Sequence, residues 1–101
     1  MRLGRARFTK VIDTQLALFE REHHDLIDAI DERLTAYNRA ERSEAEELYG
    51  DYADAVDEGI EILQELRDNY AESVDDPDRY VKEFNRAVAR RLPRLALDGH
   101  G

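Results

Sequence analysis

Glu20 and His23 are the residues whose types and spacing come nearest to coordination chemistry. Glu-x-x-His puts two ligands one turn apart on one helix face, the way a helix of a bundle offers two ligands to a di-iron centre. One chain supplies a single such pair, so a site for iron or another divalent metal needs a second copy across a dimer interface. Glu22 and His24 stand beside the pair. In an antiparallel hairpin turning near residue 41, His23 faces Gly59, where the missing side chain leaves room, while Asp57, Glu58 and Glu61 fall mostly on the outer side. The simpler reading is a histidine that is exposed or satisfied in the core, with no cofactor. His100 fits no pattern.

Other chemistries lack their residues. The chain has no Cys, which removes disulfides, thiolate metal sites and a Cys nucleophile together. No glycine-rich phosphate loop and no Ser/His/Asp set with usable spacing is present, so catalysis is not expected. Arg2, Arg5, Arg7 and Lys10 precede or open the first helix, where bases oppose the helix dipole. They are the best argument for nucleic acid, but the net charge of −9 opposes phosphate binding, and such a partner is not expected.

That charge is unevenly spread. From Asp13 to Asp78 there are 22 acids against five arginines, a balance of −17, whereas residues 79–97 hold six bases against Glu83, a balance of +5. Only Lys10 and Lys82 are lysines, so the acidic surface fits either adaptation to salt or a binding face.

With 42% apolar residues, 39% charged residues, five Gly and two Pro, the 101-residue chain reads as one all-α domain. The longest apolar run, Leu16 to Phe19, is far too short to span a bilayer, and no signal-type segment follows the basic start. A cytoplasmic location without membrane contact is the expectation.

Three helices are expected to position these residues. Ile12, Leu16, Phe19, His23, Leu26, Ile30, Leu34 and Tyr37 share one face of a first helix over about residues 8–40. Ser43-Glu44-Ala45-Glu46 reads as a capping box opening a second helix over 43–74, whose seam is Ala45, Tyr49, Tyr52, Val56, Gly59, Leu63, Leu66 and Tyr70. The short connection makes these two an antiparallel hairpin. Asp75-Asp76-Pro77-Asp78 starts a third helix over 77–92, carrying Tyr80, Val81, Phe84, Val88 and Leu92 inward, and Pro93 stops it. The tail, 93–101, is expected to be mobile.

A third helix half as long as the hairpin covers only one end of it. Ile30, Leu34, Tyr37, Leu48, Tyr49 and Tyr52 are then left for an interface, and a second hairpin completing a four-helix bundle is the preferred cover. The alternative is a bent first helix folding over itself. The second helix also carries nine acids, Glu44, Glu47, Asp51, Asp54, Glu58, Glu61, Glu65, Asp68 and Glu72, at alternating spacings of three and four. Arg79, Lys82, Arg86, Arg90 and Arg94 gather on the outer face of the third helix. The two charged faces, with Glu58, Glu61, Glu65, Arg79, Lys82, Arg86 and Arg90 as their centres, are read either as solvated surface or as contacts with another molecule.

Leu26-Ile27-Asp28-Ala29-Ile30-Asp31-Glu32-Arg33-Leu34 resembles the long first helix of the all-helical chorismate mutases. The resemblance covers that stretch alone. It implies a dicarboxylate substrate held by several Arg and Lys side chains, yet His24 stands where the family has its first-helix arginine, Glu41 with Arg42 one residue off falls near the helix end, and the later cationic position falls near Tyr52. A segment of charge −17 would repel that substrate, so the similarity is read as a shared amphipathic pattern. The sequence thus points to a protein-protein interaction module: a homo-oligomeric structural, adaptor or accessory subunit, dimeric by preference, or one bound to a larger protein. The alternative is a ferritin-like half-bundle that completes an iron site at Glu20 and His23 by dimerising.

Overall fold

A computed structural model describes residues 7–97; Arg2, Arg5 and the segment 98–101, with His100, lie outside the described residues. Four α-helices follow one another, α1 (Thr9–Glu22), α2 (His24–Asn38), α3 (Arg42–Ala71) and α4 (Pro77–Arg91), and a 3₁₀ turn, Pro93–Leu95, ends the path. There is no strand among the described residues, and no described helix is long and apolar enough to cross a membrane.

The expected single first helix is two. His23 leaves helical geometry at φ −122° and ψ 31°, although its N–H still donates to Phe19 O at 2.9 Å and its carbonyl accepts from Ile27 N at 3.1 Å. The break therefore turns the chain while losing almost no backbone bonding. Neither Gly nor Pro causes it. Packing does: α2 lies along α3, while α1 must diverge to pack against α4. The Phe19 and His23 rings, 5.2 Å apart, fill the joint.

The core sits where α1, α3 and α4 converge. Leu16, Leu63, Tyr80, Phe84 and Val88 have no exposed surface, and Ile12 is nearly as buried. Each such side chain contributes roughly 1.5 to 3 kcal/mol on transfer from water. Tyr80 is the hub. Phe8, Tyr70 and Phe84 surround its ring at centroid distances of 5.4, 5.1 and 5.8 Å, and its hydroxyl donates to Gln15 Oε1 at 2.8 Å. Burial is the main reason the phenol pKa is pushed up to about 12; the bond to Gln15 works in the other direction.

Two helix boundaries differ in kind. Asp76 caps α4 as expected, its carboxylate accepting from Arg79 N at 3.3 Å, with Pro77 in the first turn. The Ser43 capping box does not form, because α3 begins at Arg42 behind Glu41, without a side-chain cap, and Ser43 is already inside the helix.

The segment after Pro93 is the larger correction. Instead of a mobile tail, Pro93–Leu95 folds back over the hairpin, and Leu95 and Leu97 keep only 3% and 6% of their surface exposed. Two apolar side chains two residues apart supply enough burial to hold a segment too short for any periodic signal. Gly59 admits the turn. A Cβ at that position would lie 2.9 Å from Leu95 Cδ2, so the room expected for His23 is taken by Leu95. His23 instead lines a cleft with Phe19, Ile62 and Leu66.

The result is elongated, 55 × 24 × 21 Å, with a radius of gyration of 15.8 Å against about 13 Å for a compact domain of this size. Three helices meet at one end; only α2 and α3 reach the other.

Candidate interaction surface

The far end of the hairpin is built by a tight connection. Arg39 N donates to Thr35 O and Ala36 O at 3.1 and 3.2 Å, Ala40 N donates to Tyr37 O at 3.1 Å, and Glu44 N donates to Glu41 O at 2.9 Å. Arg33 then ties the two helices together through Nη1, which donates to the Asp51 carbonyl at 3.1 Å.

On this end the structure brings three predicted residues into one aromatic group. The Tyr37 and Tyr49 rings meet edge-on at 5.3 Å, and Tyr49 lies 6.0 Å from Tyr52. Tyr49 is 51% exposed, whereas Leu34, Tyr37, Leu48 and Tyr52 are half-buried. Ile30 departs from the expectation. It is 3% exposed and shares a cleft with Pro93, Arg94 and Leu95, so the returning segment makes it a core residue.

Of the candidate metal pair, Glu20 faces Arg91 and His23 is half-buried. Both Glu20 oxygens accept from Arg91, each at 3.1 Å, and among the described residues no group of three or more His, Asp or Glu side chains could hold a metal ion.

The charged faces divide into paired and unpaired members. Arg91 binds Glu20, and Arg94 binds Asp31 at 2.7 Å, so the end of α4 and the turn after it neutralise acids of α1 and α2. Arg79 binds Glu83 at 3.0 Å. Lys82, Arg86 and Arg90 are exposed, and no described acid pairs with any of them. All nine acids of the stripe, eight on α3 and Glu72 at its C-terminal cap, are exposed. Of these only Asp68 has an ion pair among the described residues, with its neighbour Arg67 at 2.8 Å.

Sequence reasoning missed Glu83, the one acid among the six bases of residues 79–97. It is 8% exposed, and its carboxylate accepts from the backbone N–H groups of Arg7 and Phe8 at 3.0 and 2.7 Å. Burial raises its pKa, but those two amides together with Arg79 outweigh it and hold the carboxyl below the usual glutamate range. Arg7 Nη2 also donates to both Asp75 oxygens at 2.7 and 2.8 Å, which lowers the Asp75 pKa chiefly through that hydrogen bond. The isolation of Glu83 among those bases was the only available signal.

No family model matches this chain, and no curated protein or solved structure matches it either.

Proposed function

We propose that this protein is a helical association module without catalysis, a structural, adaptor or accessory subunit that pairs its distal hairpin with that of a second copy. The observation that carries the reading is Tyr49, half exposed on a stretch of hairpin that has only two helices. Full burial of such aromatic side chains is worth roughly 1.5 to 3 kcal/mol each, and α4 and the Pro93–Leu95 turn end before they reach this stretch. An isologous contact doubles every gain, since each residue of the patch is used twice. Two hairpins then form a four-helix bundle with Tyr37, Tyr49 and Tyr52 at its centre. The iron-binding alternative has less in its favour, because Arg91 already occupies both oxygens of Glu20.

Sedimentation equilibrium tests the reading. The wild-type chain runs as a dimer and Tyr49→Lys as a folded monomer; a wild-type chain that is monomeric at high micromolar concentration would overturn it.

A further inference from the structure

The geometry points to a second contact between copies, in which the Lys82, Arg86 and Arg90 row of α4 docks on the Glu58, Glu61 and Glu65 stretch of α3 in another molecule. All six side chains are exposed. None of them has an ion pair among the described residues. The other bases of α4 and of the turn after it are already paired: Arg91 with Glu20, Arg94 with Asp31 and Arg79 with Glu83. What remains is three bases on α4 and, on α3, a stripe in which only Asp68 is paired, and no ion pair among the described residues joins row to stripe.

The two rows match in length as well as sign. At 1.5 Å per residue, positions 82 to 90 extend about 12 Å and positions 58 to 65 about 10 Å, so three charges face three charges without either helix bending. The stripe also needs a counterpart. Carboxylates three and four residues apart on α3 repel one another along the helix, and a basic row removes that repulsion for the three it covers. A second copy is the partner whose chemistry is on hand, since every molecule displays one row and one stripe at equal concentration.

Row and stripe lie on different helices, so two copies can exchange them reciprocally about a twofold axis or pass them from copy to copy, and either arrangement raises the mass above that of the tip-paired species. It is independent of the tyrosine patch at the hairpin tip. Exposed pairs are individually weak and screened by salt, so the contact forms at low ionic strength and dissolves as the Debye length shrinks.

Charge exchange tests it. The weight-average mass of the wild-type chain rises above that of the tip-paired species at about 20 mM salt and returns to it at about 500 mM. Lys82→Glu/Arg86→Glu/Arg90→Glu loses the low-salt species, and so does Glu58→Lys/Glu61→Lys/Glu65→Lys; an equimolar mixture of the two recovers it. Asp25→Lys/Asp28→Lys/Glu32→Lys carries the same net charge as the stripe variant but leaves row and stripe intact, and it keeps the low-salt species on its own. In a Tyr49→Lys background the salt-dependent species persists, which separates this contact from the tip. Circular dichroism checks that each variant is folded, and Lys82→Gln/Arg86→Gln/Arg90→Gln replaces the row variant if reversal unfolds α4, with loss of the low-salt species again expected. A wild-type mass independent of salt overturns the inference, as does failure of the two folded variants to complement each other or loss of the low-salt species in the α2 control. So does a wild-type chain that keeps its high-salt mass yet binds duplex DNA through the same three bases.

Discussion

Glu83 accepts the backbone N–H of Phe8 at 2.7 Å across 75 residues of sequence, and so fastens the start of the chain's first helix to the middle of its last. Arg7 doubles the bond at 3.0 Å, and Arg79 completes the carboxylate's shell from one turn away on α4. A nearly buried acid is tolerated here because all its strong partners are donors, and two of them are amides that precede a helix and have no carbonyl of their own to bind.

Removing that carboxylate leaves the two amides without their acceptor. Glu83→Ala is expected to lower the unfolding free energy by about 2 to 3 kcal/mol, read from urea denaturation. The pH dependence has a definite sign. The folded carboxyl gives up its proton more readily than the unfolded one, so its contribution is complete above the ordinary glutamate range and disappears as pH falls through the lowered folded value. Glu83→Gln flattens this acid limb of the stability curve; an unchanged limb would show that Asp75 and other carboxylates account for it.

Gly50 and Gly59 make a matched pair, since both lie inside α3. A Cβ at Gly50 meets nothing within 4 Å, whereas one at Gly59 runs into Leu95. Gly50→Ala is expected to raise stability by about 0.5 to 1 kcal/mol through helix propensity. Gly59→Ala should forfeit that gain, and Gly59→Leu should cost about 1 to 3 kcal/mol by lifting the C-terminal turn. Thermal melts of the three variants decide it, and equal gains from both alanines would mean that Leu95 moves aside freely.

Tyr80 predicts an alkaline limb. Its phenol ionises near 12 when folded and near 10 in an unfolded chain, so stability is complete below about pH 10 and falls as pH rises toward 12. In a spectrophotometric titration one of the five tyrosines should ionise last, and Tyr80→Phe should remove that step while costing about 1 kcal/mol for the bond to Gln15.

The helices and their inward faces were legible in the sequence wherever a repeated signal existed. Leu16, Leu63, Phe84 and Val88 lie on the predicted faces and are buried, and Asp76 with Pro77 starts α4 as its residue types require. The break at His23 was not legible, since Phe19, His23 and Leu26 keep their spacing through it and tertiary packing alone bends the chain. The returning Leu95 and Leu97 were hidden for the opposite reason: two residues make no period. Ile30 was consequently read as an interface residue although the chain covers it. Glu83 could not be placed because its partners are backbone amides 75 and 76 residues away, a pairing that no local pattern encodes. The tip tyrosines were grouped correctly in the sequence, while the division of the bases into paired and unpaired members required coordinates.

The tyrosines fall into two separate sets, with Tyr37, Tyr49 and Tyr52 in mutual ring contact at one end of a 55 Å molecule and Tyr70 stacked near Tyr80 at the other. With no tryptophan present, these rings supply all the long-wavelength ultraviolet emission of the protein. The molecule thus carries a native optical reporter at each pole, Tyr49 open to solvent at the tip and Tyr80 shut away in the core, and a quencher dissolved in the buffer can tell events at the one from events at the other without any label being attached.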